Sequence, residues 1–133
     1  GPLSLELIAT KNWKPDSIGG LTLGADPVSF SISRASVDHP PLIRAFTVRK
    51  QAKAHGTGNL IEGPFKATDK VVIIENVVTT GKSALQAIDA VVRTGAHVLG
   101  VLAVVNRDEG GTEIIRKHGF DTISLVSIKE LLG

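Results

Sequence analysis

Val71-Val72-Ile73-Ile74-Glu75-Asn76-Val77-Val78-Thr79-Thr80-Gly81-Lys82-Ser83 is the stretch that decides the fold. Its first four residues are all β-branched and apolar, which suits a strand covered on both faces, as in a parallel sheet. From Ser83 onward, Ala84, Leu85, Gln86 and Ala87 form helix readily. Between strand and helix lie two threonine hydroxyls, a glycine and a lysine. Such a turn suits a phosphate, because the N–H groups that open a helix have no intrahelical acceptor and the dipole adds positive potential there. At the strand's end, Glu75 can accept hydrogen bonds from sugar hydroxyls or act on a metal through water.

Two other readings compete. Gly81-Lys82-Ser83 matches the end of a nucleotide-binding P-loop, but Asn76 stands where that loop needs its first glycine. An ordinary strand-to-helix connection also carries Thr, Gly and Ser as caps. Neither accounts for a carboxylate beside paired threonines.

Working outward, Ser17–Leu21 reads as a short strand entering the turn at residues 19–24, and Asp26-Pro27 as a helix N-cap with proline in the first turn. Arg44–Val48 reads as a strand, followed by a polar loop over residues 49–58 and a return strand around 59–62. The helix after the central strand should run from Ser83 to about Arg93, with Leu85, Ile88, Val91 and Val92 on one face and Gly95 as its stop. A strand over 97–105, a loop over 106–111, a short helix over 112–118 stopped by Gly119, a strand over 122–126 and a final helix from Ser127 complete the pattern. Alternating strands and helices predict an open, mostly parallel α/β sheet flanked by helices, with its ligand crevice at the carboxyl ends of the strands.

At 133 residues the chain has the size of one domain and can bury roughly 65–70% of its unfolded surface. Gly1 to Ser4 reads as a remnant of tag removal, leaving 5–133 as a single domain. Fifteen Lys and Arg against 13 Asp and Glu give a formal charge of +2, too balanced to imply nucleic-acid binding. Without cysteine there is no disulfide scaffold, thiolate chemistry or cysteine zinc site. The longest apolar run, 98–105, is too short to span a bilayer, and no secretory signal is visible, so a soluble cytoplasmic protein is expected. His39, His97 and His118 lack partners at metal or catalytic spacing, and Trp13 is assigned to packing.

Three further loops carry chemistry. Residues 49–58 concentrate Arg49, Lys50 and Lys53 with His55 in a glycine-ended loop that can close over a polyanion. With the loop at Glu75, this segment resembles the orotate phosphoribosyltransferases, type I phosphoribosyltransferases whose mobile loop has the form R-K-x-x-K-x-H-G. Residues 19–27 look like that family's pyrophosphate loop, with Leu21, Thr22, Leu23 and Gly24 at its centre. Residues 106–111 look like the loop whose arginine meets orotate. The four matching segments span residues 17–120 in the family's order.

The resemblance implies the type I phosphoribosyltransferase fold with a flexible basic hairpin, and Mg²⁺-dependent transfer of ribose 5-phosphate from phosphoribosyl pyrophosphate (PRPP) to orotate. The products would be orotidine 5′-monophosphate and pyrophosphate, in pyrimidine biosynthesis. It implies Lys53 and His55 at the leaving pyrophosphate, with His55 as a proton source, and Arg49 and Lys50 as phosphate clamps. Glu75, Asn76, Val77, Val78, Thr79, Thr80, Gly81, Lys82 and Ser83 would bind PRPP, and Arg107 with Thr79 would hold orotate. Magnesium is expected on the substrate's oxygens with no direct protein ligand, reaching Glu75 through water. A homodimer with shared active sites is implied, with neither nucleic acid nor membrane as partner.

The chain departs from the pattern at Asn76, where the family has a second acidic residue, at Leu23, where some members have lysine, and before the first strand, where only about sixteen residues replace a helical, hood-like region. Weakened turnover is therefore expected, and the chain reads as a truncated form, a minimal variant or a relative with another ligand. The alternative function is a catalytically impaired regulatory protein of the same fold that binds PRPP or a nucleotide. A transferase for another base is the third.

Overall fold

The computed structural model describes residues 2–22, 24–51 and 60–129. In chain order these form α1 (Pro2–Thr10), β1 (Ser17–Leu21), α2 (Asp26–Asp38), β2 (Arg44–Val48), β3 (Ile61–Glu62), β4 (Lys70–Val78), α3 (Lys82–Val92), β5 (His97–Asn106), α4 (Gly111–Lys117) and β6 (Thr122–Ser127). The six strands make one sheet in the order β3-β2-β1-β4-β5-β6. Every pairing is parallel except β2 with β3. This is the open, mostly parallel sheet flanked by helices that the alternation of strands and helices predicts.

The apolar run at the start of β4 shows why the sheet is covered twice. Side chains alternate along a strand, and here Val71 and Ile73 enter one core with Val91 and Ile88 of α3, while Val72 and Ile74 enter the other with Ile8 of α1 and Ile32 of α2. All four are at most 1% exposed, so the strand has no solvent face and needs no polar alternation.

At the opposite end from the loops of interest, a buried network pins β1, β2 and β4. The Asp69 carboxylate accepts from Ser17 Oγ at 2.9 Å, Arg44 Nη2 at 2.7 Å and the Lys66 N–H at 3.1 Å. Burial alone would raise the pKa of this carboxyl, but those donors and the Arg44 charge hold it below its ordinary value. Its role is structural.

Several expectations need correction. Asp26 is the first residue of α2 rather than its N-cap; Ala25 holds the cap position without a side-chain bond, and the Asp26 carboxylate turns to Thr22 and Thr47. The buried face of α3 is built on Ala84, Ala87, Ile88, Ala90 and Val91, with Leu85 only partly buried and Val92 46% exposed. Small alanines let the helix approach the sheet closely, and Val92 falls off that stripe. The sequence pattern also passed over α1, whose Ser4 and Ile8 are buried. Trp13 packs as expected, its ring lying where a Cβ on Gly100 would project. Of the helix expected from Ser127, residues 130–133 lie outside the described residues. No helix among the described residues is long and apolar enough to cross a membrane.

Candidate active site

The chain leaves β1 toward β2 on one side of the sheet and returns to β4 on the other, so the strand order reverses between β1 and β4. A crevice opens at such a reversal, outside the carboxyl ends of the strands. The loops after β1, β4 and β5 all lie at this end.

β4 outlasts its neighbour. Pairing with β1 stops at Gly19↔Ile73, whereas pairing with β5 continues to Val78↔Asn106. Glu75 and Asn76 are therefore strand residues, with Glu75 in register with Ala103 of β5 and beyond the last residue pair with β1. The Glu75 carboxyl is half-buried, and burial pushes its pKa up to about 7 against partial relief from the Asn76 backbone N–H. A carboxylate in that position favours ligand groups that stabilise its charge, such as hydroxyl donors or a hydrated cation. Asn76 is exposed.

The turn after β4 ends on Gly81, which caps α3 at φ 84°, a left-handed conformation suited to glycine. Thr80 Oγ1 accepts the Lys82 N–H at 3.4 Å, and the Leu85 N–H bonds the Gly81 carbonyl at 3.0 Å to begin the helix. Thr79 is half-buried; Thr80, Lys82 and Ser83 are exposed. The geometry presents a short polar arc around a helix N-terminus, which can take a phosphate.

Arg107 is brought beside this turn by its backbone N–H, which bonds the Val78 carbonyl at 3.0 Å. Its guanidinium Nε lies 3.3 Å from Glu109 Oε2, and both side chains are more than half exposed. The loop backbone is fixed by Asn106 Oδ1, which accepts the Asp108 N–H at 2.9 Å, and by Asp108 Oδ2, which accepts the Lys129 N–H at 2.9 Å.

Across the crevice, Thr22 bonds the Val48 carbonyl through its N–H at 2.8 Å, joining the loop after β1 to the end of β2. Thr22, Thr47, Arg49, Lys50, Gln51 and Glu62 line a cavity of about 570 Å³. Arg49 Nη1 meets Glu62 Oε1 at 2.5 Å, and the Lys50 carbonyl accepts from Gln86 Nε2 of α3 at 3.4 Å. Leu21 is buried and Gly24 exposed; Leu23, Lys53 and His55 lie outside the described residues.

Two glycines of the loops over 19–27 and 106–111 are required by close backbone approach, which the sequence does not display. Gly20 passes so close to the Ile74 carbonyl that no side chain fits, and Gly111 is packed against the Thr79 carbonyl and the Gly81 nitrogen. The adjacent pairs Gly19-Gly20, within β1, and Gly110-Gly111, at the start of α4, were the available signal. A larger cavity of about 640 Å³ lies elsewhere, walled by α1, Trp13 and residues 39–41, away from these loops.

No family model matches the chain. It is 46% identical over 132 residues to orotate phosphoribosyltransferase of Aquifex aeolicus, covering 99% of this chain and 71% of that protein. It is 44% identical over 123 residues to the enzyme of that name from Corynebacterium glutamicum, covering 92% of this chain and 65% of the relative. Its fold matches the crystal structure of Mycobacterium tuberculosis orotate phosphoribosyltransferase in complex with PRPP at a TM-score of 0.81 and 40% identity, over 98% of this chain and 72% of that one.

Proposed function

The chain belongs to the orotate phosphoribosyltransferase family, and from that membership we propose that it transfers ribose 5-phosphate from PRPP to orotate, giving orotidine 5′-monophosphate and pyrophosphate. The observation that carries the proposal is the meeting, at one end of the sheet, of a helix-opening turn, the half-buried Glu75 and the Arg107 loop bonded to Val78.

In this reading residues 79–83 hold the 5′-phosphate through the first N–H groups of α3 and the surrounding hydroxyls. Val77 and Val78 place that turn, and Glu75 and Asn76 meet the ribose hydroxyls. Arg107 leaves Glu109 to make a bidentate contact with the carboxylate of orotate, a fork lysine cannot reproduce. Arg49 and Lys50 draw the pyrophosphate toward the cavity by Thr22, with Lys53 and His55 assigned to the leaving group. As the bond from the anomeric carbon stretches, positive charge grows on the sugar and Glu75 opposes it from a half-buried position.

Among the described residues no group of three or more His, Cys, Asp or Glu side chains could grip a metal ion. The donor set fits a magnesium ion carried by substrate oxygens and water, with Glu75 as an outer acceptor. Bound there, magnesium would neutralise charge on the leaving pyrophosphate. A homodimer with shared sites belongs to the same proposal.

Asn76 favours a second reading, a weakened PRPP- or nucleotide-binding protein with a regulatory role, because an amide offers no full charge to the developing cation. Isothermal titration separates acceptor from donor. Orotate should bind the PRPP-loaded chain and lose that binding in Arg107→Ala, while PRPP binding persists. Orotate binding unchanged by Arg107→Ala would reject the acceptor assignment.

A further inference from the structure

The loop that carries Arg107 is tied to both neighbours of β5. On one side the Arg107 N–H bonds the Val78 carbonyl, at the end of β4, at 3.0 Å. On the other, Oδ2 of the half-buried Asp108 accepts the backbone N–H of Lys129, just beyond β6, at 2.9 Å. Since β4 and β6 flank β5 in the sheet, the loop is strung between the carboxyl ends of two strands. Asp108 also holds φ 58°, the left-handed conformation that side chains other than Asn and Asp disfavour, and its N–H is taken by Asn106 Oδ1 at 2.9 Å. Glycine would serve such a turn at no steric cost. What aspartate adds is an acceptor that reaches a partner 21 residues away.

The Arg107 guanidinium has no comparable hold. Its pair with Glu109 at 3.3 Å is more than half exposed on both sides, and an exposed pair orders two long side chains weakly. The backbone beneath the fork therefore decides where it points. We propose that Asp108 is a positioning residue for the acceptor base: by fastening the loop to the segment after β6, it sets where the Arg107 fork meets the orotate carboxylate. The inference rests on the orotate assignment made above and adds to it the residue that aims the arginine. Asp108 acts through Arg107, because the oxygen that makes the tie is engaged by backbone rather than turned to a ligand.

Two ligands titrated calorimetrically into the whole chain separate aiming from general support. Orotidine 5′-monophosphate carries both the base carboxylate and the 5′-phosphate, and ribose 5-phosphate carries the phosphate alone. Asp108→Gly keeps the left-handed backbone and removes the tie. It should weaken orotidine 5′-monophosphate about tenfold, the scale of one charge-assisted hydrogen bond, and leave ribose 5-phosphate unchanged. Asp108→Asn retains an acceptor oxygen and tolerates the same φ, so it should keep the wild-type preference for the nucleotide. A wild-type preference in folded Asp108→Gly, an equal loss for both ligands, or a loss in Asp108→Asn as large as in Asp108→Gly would each overturn the proposal. If the glycine variant does not fold, the same comparison in folded Asp108→Ala decides. Wild-type chain that binds the nucleotide no more tightly than ribose 5-phosphate would overturn the orotate assignment itself, and this inference with it.

Discussion

Gly81 and Gly111 meet backbone to backbone: a Cβ on Gly81 would sit 2.8 Å from the Gly111 carbonyl oxygen, and one on Gly111 would sit 2.8 Å from the Gly81 nitrogen. The turn after β4 and the loop after β5 are thereby clamped together, so the proposed phosphate and orotate subsites keep a fixed separation. Positioning of this kind is a large part of what a two-substrate site contributes.

Gly111→Ala should break the clamp. Its Cβ would lie 2.5 Å from the Thr79 carbonyl oxygen, and neither neighbour is a flexible side-chain end. Denaturant unfolding should show a loss of about 1–3 kcal/mol, the ordinary cost of overpacking. PRPP affinity should fall with it. An Ala variant with wild-type stability and binding would show that the two loops are not rigidly coupled.

Glu75 should make stability depend on pH. Its folded pKa is raised from 4.5 to about 7, so between those values the folded state holds a proton that the unfolded chain has lost. The contribution of this group is therefore most favourable below pH 4.5, falls as pH rises toward 7, and stays unfavourable above it. Glu75→Gln should gain stability over wild type between pH 5 and pH 8, by roughly 1 kcal/mol once solvent screening of a half-buried carboxyl is allowed for. Urea titrations at the two pH values measure this directly, and a constant difference would reject the shift.

Much of this arrangement is legible in the sequence, for reasons that can be named. The four β-branched residues of β4 have no polar alternation because both cores need them, and Gly81, Gly95 and Gly119 mark helix boundaries with positive φ. What fails to show depends on three-dimensional company. Asp26 resembles an N-cap until Thr22 and Thr47 arrive from two other elements. The α3 stripe shifts onto alanines because the sheet sets the approach distance, and α1 lacks a strong amphipathic pattern although Ile8 is buried. Among site residues, Arg107 and the 79–83 turn stand out as sequence motifs, whereas the raised pKa of Glu75 arises from burial that no local pattern encodes.

Asn76→Asp should raise turnover. Asn76 is exposed, so the new carboxylate is not penalised by burial, and it supplies the second negative charge facing the sugar. One positioned electrostatic group is worth up to about 10²–10³ in rate, and an exposed one less. Steady-state kcat at saturating PRPP is the readout; an unchanged value in folded protein would show that the missing charge at Asn76 does not limit turnover.

Sharing of sites between subunits predicts complementation. Lys53→Ala and Arg107→Ala chains, each inactive alone, should recover part of the activity when mixed, since one site of a hybrid dimer keeps both residues. Verified hybrid dimers without recovery would place Lys53 and Arg107 in the same subunit's site.

The transfer reaction is tested most directly by following orotate absorbance in the presence of Mg²⁺ and PRPP at high protein concentration. Loss of absorbance that requires both Mg²⁺ and PRPP, and disappears in Arg107→Ala, is the predicted result. Folded chain that binds PRPP yet leaves orotate unchanged would contradict the transferase assignment and favour the ligand-binding alternative.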